Sequence, residues 1–384
     1  MEQCMSLLSV TAPEDLSAFD QFVTAQELTG FKPKANHADD QLFHASLASI
    51  IKHLREMPGR HSEDLDNTFR VSLGFVEDVR PNALANKHGN VHIAAVHTGL
   101  AMVIMEFAWF CLAQADVFPE IGDPSQETSP KSKAGLPPGL SVLIQTVQSD
   151  GAQDAHINAP IIPRDPHRHA AAHYLALLMM RFVWLHEIGH GGLGHIDYLQ
   201  SFNANSEGKS LGLNELSLNE LVSIHPRIDG RVLQCLEFEA DSWALYQSFL
   251  VQHAGQENID GIAALPADLR CRMTLFAIYS MSWLMETISS TFSRGRLAIT
   301  HPAPIRRMQM LQNMAVWELN DLDLNIPALT RQALGMFQTV LSQIGAQWLQ
   351  TDQFDPHRYR KIFEETRDKL APFRYVVPED AIRR

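Results

Sequence analysis

The chain is poor in cysteine, and the four it has, Cys4, Cys111, Cys235 and Cys271, form no CxxC pair and no regular spacing. That excludes a disulfide scaffold and a zinc ribbon, and it fits a reducing compartment such as the cytoplasm. Positive charge is also short, at 31 Lys and Arg against 44 Asp and Glu, for a formal net charge of −13. Such a balance argues against nucleic acid or an anionic membrane as the main partner. The opening stretch MEQCMSLLSVTAPEDLSAFD has no basic start and soon turns acidic, unlike a signal peptide. No long apolar run is free of ionisable groups. Ile93–Ala113 carries His97 and Glu106, and Ala170–Gly189 carries His173, Arg181, His186 and Glu187. Both therefore read as buried helices and not as membrane spans. A P-loop, a GxGxxG turn, a GxSxG elbow and internal repeats are all missing.

What remains is a globular composition, 45% hydrophobic and 20% charged over 384 residues. That is enough to bury a large core. The expected fold class is mainly α (α+β), a helical core with a small sheet or edge strand over a cleft. Helical periodicity marks Gln41–Met57, and helices are expected at about Thr98–Ala115, Arg168–His190, Arg231–His253, Ala267–Phe292 and Pro302–Leu319, with two more between Pro327 and Lys369. Alternation around Val91, Ile93 and Ala95 predicts a strand. The stretch 118–167, rich in Pro, Gly, Ser and Asp, reads as an inserted loop. The expected organisation is an N-terminal helical region at 1–78, a catalytic domain at 79–320 and a C-terminal helical region at 321–384.

The chemistry concentrates in HEIGH, residues 186–190. Four positions apart on a helix is one face, so the imidazoles of His186 and His190 can converge on one metal. Glu187, one step round, is placed to take a proton from water. A catalytic metal of this kind needs a third protein ligand and an open position. LEFEADSWAL offers Glu237, with Asp241 one turn on to accept the spare N–H of a ligand imidazole and fix its tautomer. Glu239 lies about 200° round the helix from Glu237 and cannot share that duty. Cys235 should face away from the site. His195 follows His190 by five positions, whereas HExxHxxGxxH requires six, so it reads as a loop histidine near the cleft. His169 and His173 are also four apart. No carboxylate or Cys stands at a supporting spacing, so a solvated helix start is preferred there over a second metal site.

HEIGHGGLGH, then EFEAD, then THPAPIRRM at Thr300–Met308 stand in the order found in gluzincin metallopeptidases of the HtpX and CAAX-prenyl-protease type, and the chain resembles that family. Upstream, Asn82-Ala83-x-Ala85, Gly89, Ile93 and Gly99-Leu100 are similar to its NAxA…G…I…GL stretch. The similarity covers about 230 residues, from Asn82 to Leu311. It implies a zinc-dependent endopeptidase acting on a protein or peptide substrate, with His186, His190 and Glu237 as Zn2+ ligands and Glu187 as general base. It also implies that the strand near Val91–Val96 pairs with an extended substrate. His301 and Arg307 match HPxxxxR and either steady a developing oxyanion or mark a helix start capped by Thr300. The missing membrane spans and the long insert resemble the soluble, prophage-encoded Lit-type peptidases implicated in phage exclusion. The competing expectation is a catalytically silent zincin-fold module for binding or regulation. The intact Glu187 speaks against it.

Overall fold

In the computed structural model, residues 13–34, 40–56, 69–132, 135–140, 143–144, 160–202, 213–214, 228–253, 265–292, 304–318, 324–346 and 356–375 are described. The chain begins with α1 (Pro13–Ala25), β1 (Gly30–Phe31) and α2 (Gln41–Glu56). Three strands follow, β2 (Val71–Val76), β3 (Ala83–His88) and β4 (Val91–His97), and β4 runs directly into α3 (Thr98–Leu112). The remaining elements are α4 (Pro166–Gly192), α5 (His195–Ser201), β5 (Leu213–Asn214), α6 (Gly230–His253), α7 (Ala267–Phe292), α8 (Pro304–Glu318), α9 (Ile326–Ile344) and α10 (Pro356–Leu370). The architecture is mainly α with one small mixed sheet, and the helix boundaries fall within a few residues of those read from periodicity. None of these helices is long and apolar enough to cross a membrane.

The sheet order is β1-β2-β4-β3-β5. β3 and β4 form an antiparallel hairpin in which His88 pairs with Val91 across two turn residues. The first of them, Gly89, has φ 60°, the left-handed conformation that such a tight hairpin demands. β2 pairs with β4 in parallel, from Val71 opposite His92 to Val76 opposite His97. β4 is thus the central strand, engaged on both sides and buried along its length. This corrects the expectation that it offers a free edge to substrate. A mostly apolar strand whose two histidines are also buried (VHIAAVH) suits the middle of a sheet, whereas an edge is normally short or charged. The region 1–78 likewise holds β1 and β2 beside its helices. VSLGFV, rich in β-branched and aromatic residues, supplies a strand in the same sheet.

The long helix α4 is the axis of the molecule, about 40 Å at 1.5 Å per residue. Asp165 caps it by accepting from the backbone N–H groups of His167 and Arg168, and Pro166 occupies the first turn. Residues 171–192 are buried except for the half-buried His173, with α2, α3, α6, α7 and the sheet packed around them. One core runs from Ile50 to Ile344, drawing on segments on both sides of residues 78/79 and 320/321. The start of the expected insert is tied firmly to α4. The buried Arg168 guanidinium donates to the carbonyl oxygens of Leu112, Gln114, Val117, Phe118 and Ile121. A cation among carbonyls released by the end of α3 satisfies groups that the helix itself leaves open.

Candidate metal centre

Two close approaches position the site. At Gly189, a Cβ would stand 3.1 Å from the Trp243 ring and 3.6 Å from the Ala240 Cα, so glycine and alanine let α4 and α6 cross at short range. At Gly191, a Cβ would stand 3.0 Å from His92 Nδ1 and 3.1 Å from Phe69, so the sheet seats on the last turn of α4. The first approach carries Glu237 of α6 to the histidines of α4.

The His186 and His190 rings lie 4.7 Å apart, nearly perpendicular at 87°, with their Nε2 atoms 3.1 Å apart. Glu237 Oε2 is 3.4 Å from His186 Nε2, and Oε1 is 3.6 Å from His190 Nε2. All three side chains are buried, and together they could hold a metal ion. The triangle has the size such an ion requires. Ligand atoms about 2.0–2.1 Å from a tetrahedral cation stand about 3.3 Å from one another. Two guanidinium groups stand behind the site, Arg307 against Asp241 and Arg374 against Glu239.

Each imidazole is held from behind by a chain of polar groups. Behind His186, Nδ1 is 3.0 Å from Asp241 Oδ1. Arg307 in turn grips Asp241 with two hydrogen bonds, Nε to Oδ2 at 2.7 Å and Nη2 to Oδ1 at 2.6 Å. Burial by itself would raise the Asp241 carboxyl. The Arg307 and His186 partners outweigh it and hold the group below the usual carboxylate range. Arg307 thus holds Asp241 at two points, through Nε and Nη2.

Behind His190 stands His195, fully buried, its Nδ1 2.9 Å from His190 Nδ1. His195 Nε2 is 3.0 Å from Glu239 Oε2, and Arg374 Nη2 donates to Glu239 Oε1 at 2.5 Å. This corrects the reading of His195 as a loop residue near the cleft. It opens α5, because the left-handed Gly194 (φ 80°) turns the chain straight back against α4. A glycine-rich link of two residues leaves the next side chain little choice but to pack on the helix just ended. Burial lowers the His195 pKa despite the neighbouring carboxylate, so the ring stays neutral. With Nε2–H donating to Glu239, its bare Nδ1 accepts from His190 Nδ1–H, and that leaves the His190 Nε2 lone pair for a cation.

Glu239 does lie off the Glu237 face, and its work is on that other side. Burial would raise its carboxyl, but His195 and Arg374 bring it below the usual range. Nothing in the local sequence marked Arg374. It arrives on the C-terminal segment, where Tyr375 N–H donates to the Gly192 carbonyl at 2.9 Å.

A small cavity of about 10 Å³, room for roughly one water molecule, opens beside the cluster, lined by Phe182, Val183, His186, Glu187, Met281, Ser282, Met285 and Arg307. Glu187 thus shares a cavity wall with a candidate ligand. Cys235 is buried with Phe238 in a separate apolar cluster, packed against Met310, Ile362 and Phe363. His301 lies outside the described residues. No protein-family model matches this chain, no curated protein matches it, and no solved structure matches it.

Proposed function

We propose that this chain is a zinc-dependent metallopeptidase that hydrolyses peptide bonds of a protein substrate in the cytoplasm. The observation that carries the reading is the convergence of His186, His190 and Glu237 from two helices, beside a cavity that Glu187 also lines. Two imidazoles and one carboxylate are the donor set of catalytic zinc sites, which leave a position open, whereas structural sites close with four ligands rich in Cys. Cys111, Cys235 and Cys271 are free and buried, in keeping with a reducing compartment.

His186, His190 and Glu237 would hold the ion. Zinc bound there supplies a Lewis acid for the scissile carbonyl and makes water a nucleophile near neutral pH. Glu187 takes the proton of the attacking water and returns it to the leaving amine. Asp241 and His195 keep the two imidazoles in the tautomer that presents Nε2 to the ion. Arg307, on the cavity wall, and His301 are the candidate donors to the oxyanion.

The test is zinc content and cleavage of a peptide library, with and without a chelator, for the native chain and Glu187→Gln. The variant should keep its zinc and lose about 10²–10⁴-fold in rate. Unchanged cleavage in the variant overturns the role of Glu187. A native protein without zinc overturns the site, and zinc without turnover points to a binding module instead.

A further inference from the structure

We propose that His169 and His173, at the other end of α4, form a second cation site, for a divalent ion that favours imidazole, of the copper(II), nickel(II) or zinc(II) kind. Their Nε2 atoms are 3.2 Å apart, and their rings stand 4.7 Å apart at 85°. The His186–His190 pair has the same arrangement, with 3.1 Å between Nε2 atoms and rings 4.7 Å apart at 87°. Two nitrogens each about 2.0–2.1 Å from one ion stand about 2.9–3.3 Å apart, depending on whether the ion is square or tetrahedral. Both pairs fall inside that window.

The rings are held in place before any ion arrives. The Trp109 indole stacks on His169 at an interplanar angle of 26°, and its Nε1–H donates to His173 Nε2 at 3.5 Å, a long bond that an ion at that nitrogen would displace. Both histidines are half-buried, so solvent reaches them. Asp165, the cap of α4, offsets the positive end of the helix dipole nearby.

The two pairs act apart. Seventeen positions separate them, about 25 Å along the helix, and the second pair faces α3 while the first faces α6. Bridged two-metal centres need ions about 3.5–4 Å apart. Among the described residues no third His, Cys, Asp or Glu joins His169 and His173. Water therefore completes the coordination, and the ion there exchanges more readily than one at the three-ligand centre. A plain imidazole–imidazole hydrogen bond would give the same distance without binding anything, so the experiment must separate the two.

Copper(II) is titrated into the full chain and into His169→Ala/His173→Ala, with bound equivalents counted by equilibrium dialysis and tryptophan emission followed in parallel. The double variant should bind one equivalent fewer and cleave peptides at the native rate. In Trp109→Phe the equivalent should persist while the copper-dependent quenching falls. Equal stoichiometry in the native chain and the double variant reduces the pair to a hydrogen bond and overturns the proposal. To guard against misfolding, copper is also added to His186→Ala/His190→Ala, where electron paramagnetic resonance should show coupling to two imidazole nitrogens. Its absence overturns the site equally. Because this readout does not need the first centre, failure of the peptidase reading leaves it intact.

Discussion

Replacing His195 with Leu tests whether the groups behind the metal centre set its affinity. The substitution removes the 2.9 Å contact to His190 Nδ1 and the 3.0 Å contact to Glu239. It leaves Glu239 paired with Arg374, so no buried charge is orphaned by the change. What is lost is the acceptor that keeps the proton of His190 on Nδ1 and its ring turned toward Glu237. Loss of such an outer partner typically weakens metal binding by about 10–100-fold, equivalent to about 1.4–2.7 kcal/mol. The measurement is competition for zinc against a fluorescent chelator, with circular dichroism to show that the helices persist. Arg374→Ala, one step further out, should give a smaller loss in the same direction. A zinc affinity within about threefold of native in the His195 variant would refute the claim that this chain of contacts orients the ligand.

Two further outcomes follow from packing and charge. Burial pushes the His53 imidazole down from 6.5 to about 4 despite its hydrogen bond with Gln247. The unfolded chain then binds a proton that the folded chain refuses, so stability is complete above pH 6.5 and is lost as pH falls toward about 4. The cost should reach about 2 kcal/mol by pH 5, read from urea unfolding at pH 7.5 and pH 5, and His53→Gln should flatten that slope. An identical pH dependence in the variant would count against it. Gly189→Ala forces a methyl group to 3.1 Å from the Trp243 ring. It should cost about 1–3 kcal/mol and weaken zinc binding by spreading α4 from α6, whereas Gly335→Ala, with open space around it, should not weaken zinc binding.

Helices were the most legible feature, since an apolar rhythm of 3.6 residues is local and repeats many times within one element. Within the site, the i,i+4 spacings of HEIGH and of Glu237 and Asp241 were legible for the same reason: a helix converts sequence distance into direction. His195 was not, because its place depends on a left-handed glycine one residue earlier and on which helix lies opposite. Glu239 was excluded correctly from the Glu237 face, yet its partner could not be inferred, since Arg374 is 135 residues away in sequence. The strand at Val91–His97 was readable as a strand, but its interior position was not. Pairing partners are non-local, and β2 comes from a region whose rhythm reads as helical.

The sequence by itself determined that the chain is built mainly from helices, that two imidazoles and two carboxylates each share a helical face, and that cysteine chemistry has no part in the site. Only the tertiary structure decided how closely Glu237 approaches the imidazoles, that His195, Glu239 and Arg374 stand behind the second ring, and that a second histidine pair repeats the geometry of the first. Backbone periodicity orients a side chain about its own helix. The distance between donors on two helices is set by how closely those helices approach, and here a glycine against an alanine and an indole sets it.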